Sequence, residues 1–224
     1  MMIRNKIAYI GILLFLVMSL QGFSQEKKEF KHFEYSSIGA KMGMTYAAID
    51  LQPAISETTP QSSFSGGIVY IFSQKKYVGV QVEALYSRYQ WKDTFSDGTV
   101  SNSFNYLELP FMTNIILGKG RFKYILNLGT YYAVLLGKDL KVNIPESNEH
   151  YQSVMDREER TPNYGLLLGG ALRYISTVGI FQLDARFNYG FQKIYNTEAT
   201  GFQYSNIMGV NVSLIYTLNL KKND

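Results

Sequence analysis

The sequence has no cysteine, one tryptophan, five prolines and two histidines among 224 residues. Without cysteine there is no disulfide framework, thiolate metal site, cysteine nucleophile or lipid anchor on cysteine. This leaves the redox compartment open, because a large β-structure does not depend on disulfides. The two histidines, His32 and His150, sit in charged stretches, and neither stands at metal-ligand spacing from another ligand type. No strand carries a histidine beside a Ser or Asp, as a general base would require. Charge is scarce as well: Asp, Glu, Lys and Arg make up 18% of the chain, below the quarter or so usual for a soluble domain. The formal net charge is +4, and without Arg4 and Lys6 it becomes twenty basic against eighteen acidic residues, or +2. Such a balance gives no warrant for a nucleic-acid partner.

Only one stretch is continuously apolar. Arg4 and Lys6 precede the run Ile7 to Leu20, which is followed by Gln21-Gly22-Phe23-Ser24. A basic start, an apolar middle and small residues at Gly22 and Ser24 predict a secretory signal peptide over 1–24, cleaved before Gln25. A transmembrane anchor would need roughly 20 apolar residues, and this run is shorter. Glu26 to Tyr35 is charged and patternless, so 25–35 reads as a short periplasmic arm.

What the chain has in abundance is tyrosine and phenylalanine, eighteen and fourteen residues, set in alternating segments. Strand periodicity is plainest from Asn105 to Gly137. Leu107, Leu109, Phe111, Thr113, Ile115 and Leu117 share one parity, and Glu108 falls on the other. After the turn Gly118-Lys119-Gly120-Arg121, the residues Phe122, Tyr124, Leu126, Leu128, Tyr132, Val134 and Leu136 share a face again. This turn has no helix after it and so is no phosphate cradle. Six more segments alternate in the same way: 37–48, 64–72, 77–91, 163–174, 181–191 and 208–220. Between the strands, long polar stretches (50–62, 92–103, 138–162, 195–206) alternate with short turns. Short turns at one end and long loops at the other are the rule for outer-membrane barrels.

The expected fold is therefore all-β: a transmembrane eight-stranded antiparallel up-and-down barrel over 36–220, with a tail at 221–224. Alternation alone also fits a lipocalin-like barrel with its apolar face inward. The apolar rows are bracketed by aromatics, as in Tyr164 to Tyr174, which is a membrane girdle in pattern. The opposite parity is mostly Gly, Ser, Asn and Gln with few charges, and these balance: Lys41, Arg173 and Arg186 against Glu83, Glu108 and Asp184. Such a set reads as a salt-bridge network filling a narrow lumen, with Glu108 directed to Arg173 or Arg186. A proton or ion path through Glu83, Glu108 and Arg186 is the alternative use of these groups.

Read in order, IGAKMGMTY, VGVQVEALYSRY, NYLELPFM, LNLGTYYAVLLG, NYGLLLGGALRY and LDARFNYGF resemble the PorT-like outer-membrane β-barrel family of Bacteroidetes. The most specific parts are Tyr106-Leu107-Glu108-Leu109-Pro110 and Ala185-Arg186-Phe187-Asn188-Tyr189. The resemblance implies a Gram-negative outer-membrane barrel of eight strands. By analogy with the founding member, it also implies an accessory role in a type IX secretion or gliding apparatus.

No catalytic, cofactor or metal constellation emerges, so the expectation is a non-enzymatic structural or interaction protein. Its expected partners are outer-membrane lipid and lipopolysaccharide, the barrel assembly machinery and other envelope proteins. The contact surface is expected in the third long loop, through Glu146, Glu149, Asp156, Arg157, Glu158, Glu159 and Arg160. Loops of this length are usually functional or disordered. Two other readings stand beside it: a lipid or small-ligand binding or transport barrel, and an outer-membrane lipid-modifying enzyme.

Overall fold

The computed structural model describes residues 35–52, 57–95, 98–118, 120–145, 162–195 and 204–220. They form eight antiparallel strands that close on themselves: β1 (Tyr35–Gln52), β2 (Glu57–Lys75), β3 (Val78–Phe95), β4 (Gly98–Leu117), β5 (Phe122–Asn143), β6 (Asn163–Ile175), β7 (Ile180–Lys193) and β8 (Tyr204–Asn219). Each strand pairs with its neighbours in sequence, and β8 closes the ring against β1 from Ser37↔Asn219 to Gln52↔Tyr204. Closure removes the exposed edges that an open sheet would present.

The burial of side chains is inverted relative to a soluble protein. Leu107, Leu109, Phe111, Ile115 and Leu117 are exposed, and so are Leu126, Leu128, Leu166, Leu168, Leu183 and Leu214. Lys41, Glu83, Glu108, Arg173, Asp184 and Arg186 are buried. The period-two pattern puts one parity of every strand outside and the other in the lumen. On β6 the ten-residue step from Tyr164 to Tyr174 rises about 25 Å, at roughly 3.3 Å per residue and a tilt near 40°. That is the height of the apolar band of a membrane barrel. Ring pairs mark its two rims: Phe122–Tyr174 and Phe181–Tyr216 near the short turns, Tyr164–Phe191 at the opposite rim.

Two expected loops are strand instead. Most of 50–62 and 92–103 continues the ladder, with Thr58↔Asp93 and Pro60↔Trp91 paired across β2 and β3, and Lys92↔Ser101 across β3 and β4. Their polarity reports that they stand clear of lipid, not that the backbone stops pairing. Pro60 is tolerated because the β1–β2 register ends at Ala47↔Gln61, so β2 has no partner on that side at Pro60. Pro110 is different. The β3–β4 register passes from Val82↔Phe111 to Leu85↔Glu108, while Pro110 pairs with Tyr131 on β5. With no N–H to give, it leaves a gap in one ladder.

The third expected loop, 138–162, also begins as strand. The β4–β5 register shifts between Asn105↔Gly137 and Tyr106↔Leu135. One extra residue reverses the parity of β5 beyond it. Leu140 and Val142 therefore turn inward against Phe95, Val100 and Ile144, so a small apolar cluster holds the part of the wall that rises past the membrane band.

Candidate functional site

The lumen is filled in two tiers. In the tier nearer the short turns, Arg186 on β7 reaches across to β3, and its two terminal nitrogens donate to the two carboxylate oxygens of Glu83 at 2.8 and 2.7 Å. Its Nε lies against Asp184 on its own strand. Lys41 on β1 donates to Glu83 at 3.3 Å and lies 4.0 Å from Asp184. Gln81 adds a bond to Glu83 at 2.5 Å. Two acids and two bases thus neutralise one another where no solvent reaches, as buried charge requires.

The network runs on through amides. Asn127 donates to Asp184 at 2.7 Å, Asn114 to Asn127 at 2.7 Å, and Arg173 to Asn114 at 3.5 Å. Arg173 also donates to Gln182 at 2.7 Å. One continuous set of contacts therefore ties β1, β3, β4, β5, β6 and β7 together inside the ring. Glycine makes room for it. A Cβ on Gly169 would stand 2.5 Å from the carbonyl of Ala185 and 2.8 Å from Cγ of Arg186.

Of the six charged residues predicted to share a network, Lys41, Glu83, Asp184 and Arg186 form its centre, and Arg173 joins through amides. Glu108 departs from expectation. It accepts a hydrogen bond from the Tyr89 hydroxyl at 3.1 Å, and Asn188 donates to that hydroxyl at 3.2 Å. The arginines are committed elsewhere, Arg186 to Glu83 and Arg173 to Gln182. Which inward residues meet across a barrel depends on strand tilt and stagger, and charge matching along the chain does not encode these. A void of about 10 Å³ lies among Lys41, Glu108, Arg186, Asn188 and Asn211, room for about one water.

The upper tier is apolar, and here the expectation of a Gly, Ser, Asn and Gln lumen needs correcting. Trp91 and Phe104 stack with centroids 5.0 Å apart and planes 3° from parallel. Tyr106 stacks on Phe104, and Tyr89 meets Tyr106 edge-on at 5.7 Å. Ile49, Tyr131, Ile194, Tyr195 and Ile207 complete this inward core. The signal was present in β3, where Leu85, Tyr89 and Trp91 share the parity of Gln81 and Glu83. The predicted contact residues Glu146, Glu149, Asp156, Arg157, Glu158, Glu159 and Arg160 lie outside the described residues, as do 1–24, most of the arm, and 221–224.

Among the described residues no group of three or more His, Asp or Glu side chains is placed to hold a metal ion. Eight antiparallel strands, an exposed apolar band with aromatic rims and a buried polar lumen find their counterpart in one family model. The outer membrane protein beta-barrel domain matches residues 23–196.

The chain belongs to this family.

The outer-membrane barrel is similar in fold to OprG of Pseudomonas aeruginosa, at 14% identity and a TM-score of 0.52, covering 83% of this chain and 96% of that one. Two further outer-membrane structures are similar at lower scores. Ail of Yersinia pestis, solved with the heparin analogue sucrose octasulfate, gives 11% identity, coverage of 83% and 100%, and a TM-score of 0.44. Neisserial surface protein A gives 10%, coverage of 81% and 97%, and 0.47. No curated protein matches this chain in sequence. The protein is thus an integral outer-membrane barrel, and the rule for such barrels leads to the expectation that its short turns face the periplasm.

Proposed function

We propose that this barrel is a structural or interaction component of the outer membrane, with a lumen closed by its own side chains and a contact surface at its extracellular end. The observation that carries this reading is the lumen itself. Arg186, Glu83, Lys41 and Asp184 cross-link the wall in one tier, and Trp91, Phe104, Tyr106 and Tyr131 fill the next. Eight-stranded barrels are just wide enough for side chains to fill, and aqueous channels use roughly twice as many strands. In planar bilayers the purified barrel is expected to give no conductance steps. Reproducible open-channel events would overturn the reading.

The outward-facing part of the proposal assigns partner contact to 143–160, with lipopolysaccharide bridged by divalent cations or an envelope protein as the occupant. Accessory action in secretion or gliding rests on the PorT-like resemblance alone, as do the signal peptide's export role and insertion by the barrel assembly machinery on the sequence pattern. Deletion of 143–160 with intact barrel assembly should abolish partner recovery in cross-linked pull-downs. Unchanged partners together with normal secretion in a gene deletion would remove the accessory role. We also propose that the barrel is not an enzyme, on the ground that its two histidines, His32 and His150, fall outside the alternating segments of the sequence.

A further inference from the structure

The lipid-facing wall carries a groove near the periplasmic rim, of about 470 Å³. It crosses β5 to β1 and is bounded by Phe122, Tyr174, Phe181 and Tyr216, with Ala40 and Leu172 in its floor. The rings come in two tilted pairs, Phe122–Tyr174 at 4.8 Å and Phe181–Tyr216 at 4.9 Å. Tyr216 is fixed by donating its hydroxyl to the carbonyl of Val178 at 2.7 Å. Ala40 leaves the floor low, since its neighbours across the two ladders, Ile68 and Tyr216, are far larger.

A second feature lies on the same rim of the barrel. The described residues of the periplasmic turns and the strand ends beside them carry Lys75, Lys76, Arg121 and Lys123 and neither Asp nor Glu. Lys123 caps the carbonyl of Gly118 at 3.0 Å, and Lys76 sits 5.3 Å over the ring of Tyr77. Arg121 is exposed, directly precedes Phe122, and its carbonyl accepts from the Ile175 amide at 2.9 Å. That bond places Arg121 beside the end of β6, next to Tyr174 of the groove wall.

We propose that this groove and Arg121 form a binding site for one anionic glycerophospholipid of the periplasmic leaflet. An acyl chain lies along the groove between the ring pairs, and the headgroup phosphate meets Arg121 at the rim. The occupant follows from position and charge. Its lining residues Phe122, Leu172, Phe181 and Tyr216 are exposed on the outer face of the wall, where hydrocarbon is the available partner. Arg121 stands beside the groove wall at Tyr174, and guanidinium suits phosphate recognition. Basic residues at a membrane surface attract anionic lipid in the same way. The site depends on the outer-membrane placement of the barrel and is independent of any role of the external loops.

Native mass spectrometry of the intact barrel in detergent tests this, with phosphatidylglycerol and phosphatidylcholine of identical chains as probes. One phosphatidylglycerol adduct is expected to survive activation that strips phosphatidylcholine, with several-fold higher occupancy. Arg121→Gln should reduce phosphatidylglycerol to the phosphatidylcholine level, Arg121→Lys should keep most of the preference, and Ala40→Leu should lower both lipids together. Glycerol phosphate, which has the headgroup charge without chains, should give no adduct. Equal retention of the two lipids by the unaltered barrel, an undiminished preference in Arg121→Gln, or equal binding of glycerol phosphate would each overturn the proposal. Ala40 and Arg121 are both exposed, and heat-modifiable gel migration confirms that each variant is folded.

Discussion

Arg186 and Glu83, 103 residues apart in the chain, meet in a two-pronged ion pair with bonds of 2.8 and 2.7 Å. The pair joins β7 to β3 through the lumen, a contact that no backbone ladder makes. A guanidinium and a carboxylate in this arrangement form the strongest type of side-chain hydrogen bonding.

Removing one partner should therefore be costly. Arg186→Met is expected to destabilise the barrel by about 3–5 kcal/mol, because Glu83 and Asp184 then face each other with only Lys41 between them. Replacing both partners, as in Arg186→Met with Glu83→Leu, should recover a large part of that loss. Urea unfolding in phospholipid vesicles measures both. A single variant as stable as the parent would show that the pair is not an interior cross-link.

The Tyr89–Glu108 contact gives a sharper distinction. Tyr89→Phe removes the donor to Glu108 and the acceptor of Asn188 together, at an expected cost of about 1–3 kcal/mol. In a double-mutant cycle, Tyr89→Phe and Glu108→Gln should show coupling of at least about 0.5 kcal/mol. Arg173→Met and Glu108→Gln should be nearly additive, since the described bonds of Arg173 go to Gln182 and Asn114. Strong coupling of Arg173 to Glu108 would restore the pairing expected from charge alone.

Trp91 is the sole tryptophan, fully buried and stacked on Phe104. Its emission should lie well to the blue and resist iodide and acrylamide in the folded barrel. Phe104→Ala should open the upper tier, shift emission to the red and cost about 3–5 kcal/mol. A water-exposed spectrum in the unaltered barrel would contradict the packed aromatic tier.

Gly169 tests the space reserved for the network. Gly169→Ala puts a methyl group 2.5 Å from the Ala185 carbonyl and 2.8 Å from Arg186, so the neighbouring backbone must shift. A loss of about 1–3 kcal/mol is expected. By contrast Gly137→Ala, where an added Cβ meets nothing within 4 Å, should be almost neutral. The two unfolding midpoints, compared directly, check the claim.

Local pattern carried the wall of this protein. The parity of Leu107, Leu109 and Phe111 marked the face toward lipid, and Tyr164 and Tyr174 marked its height. Those features are legible because a strand turns alternate side chains to opposite faces, whatever the rest of the fold does. Polarity misled where it was taken for loop: Thr58 donates to the buried Asp93 at 2.8 Å across β2 and β3, and the strands that carry them remain paired. The bulge between Asn105 and Tyr106, which turns Leu140 and Val142 inward, is likewise a matter of pairing with a neighbouring strand.

The sequence by itself determined that eight alternating segments would cross a membrane and that a small, balanced set of charges would face inward. Only the tertiary structure decided that Glu83 holds Arg186, that Glu108 belongs to Tyr89, and that aromatic side chains close the lumen above them. The reason is geometric. Facing a given side is settled within two or three residues of chain, whereas meeting a particular partner across the lumen depends on the tilt and stagger of all eight strands at once.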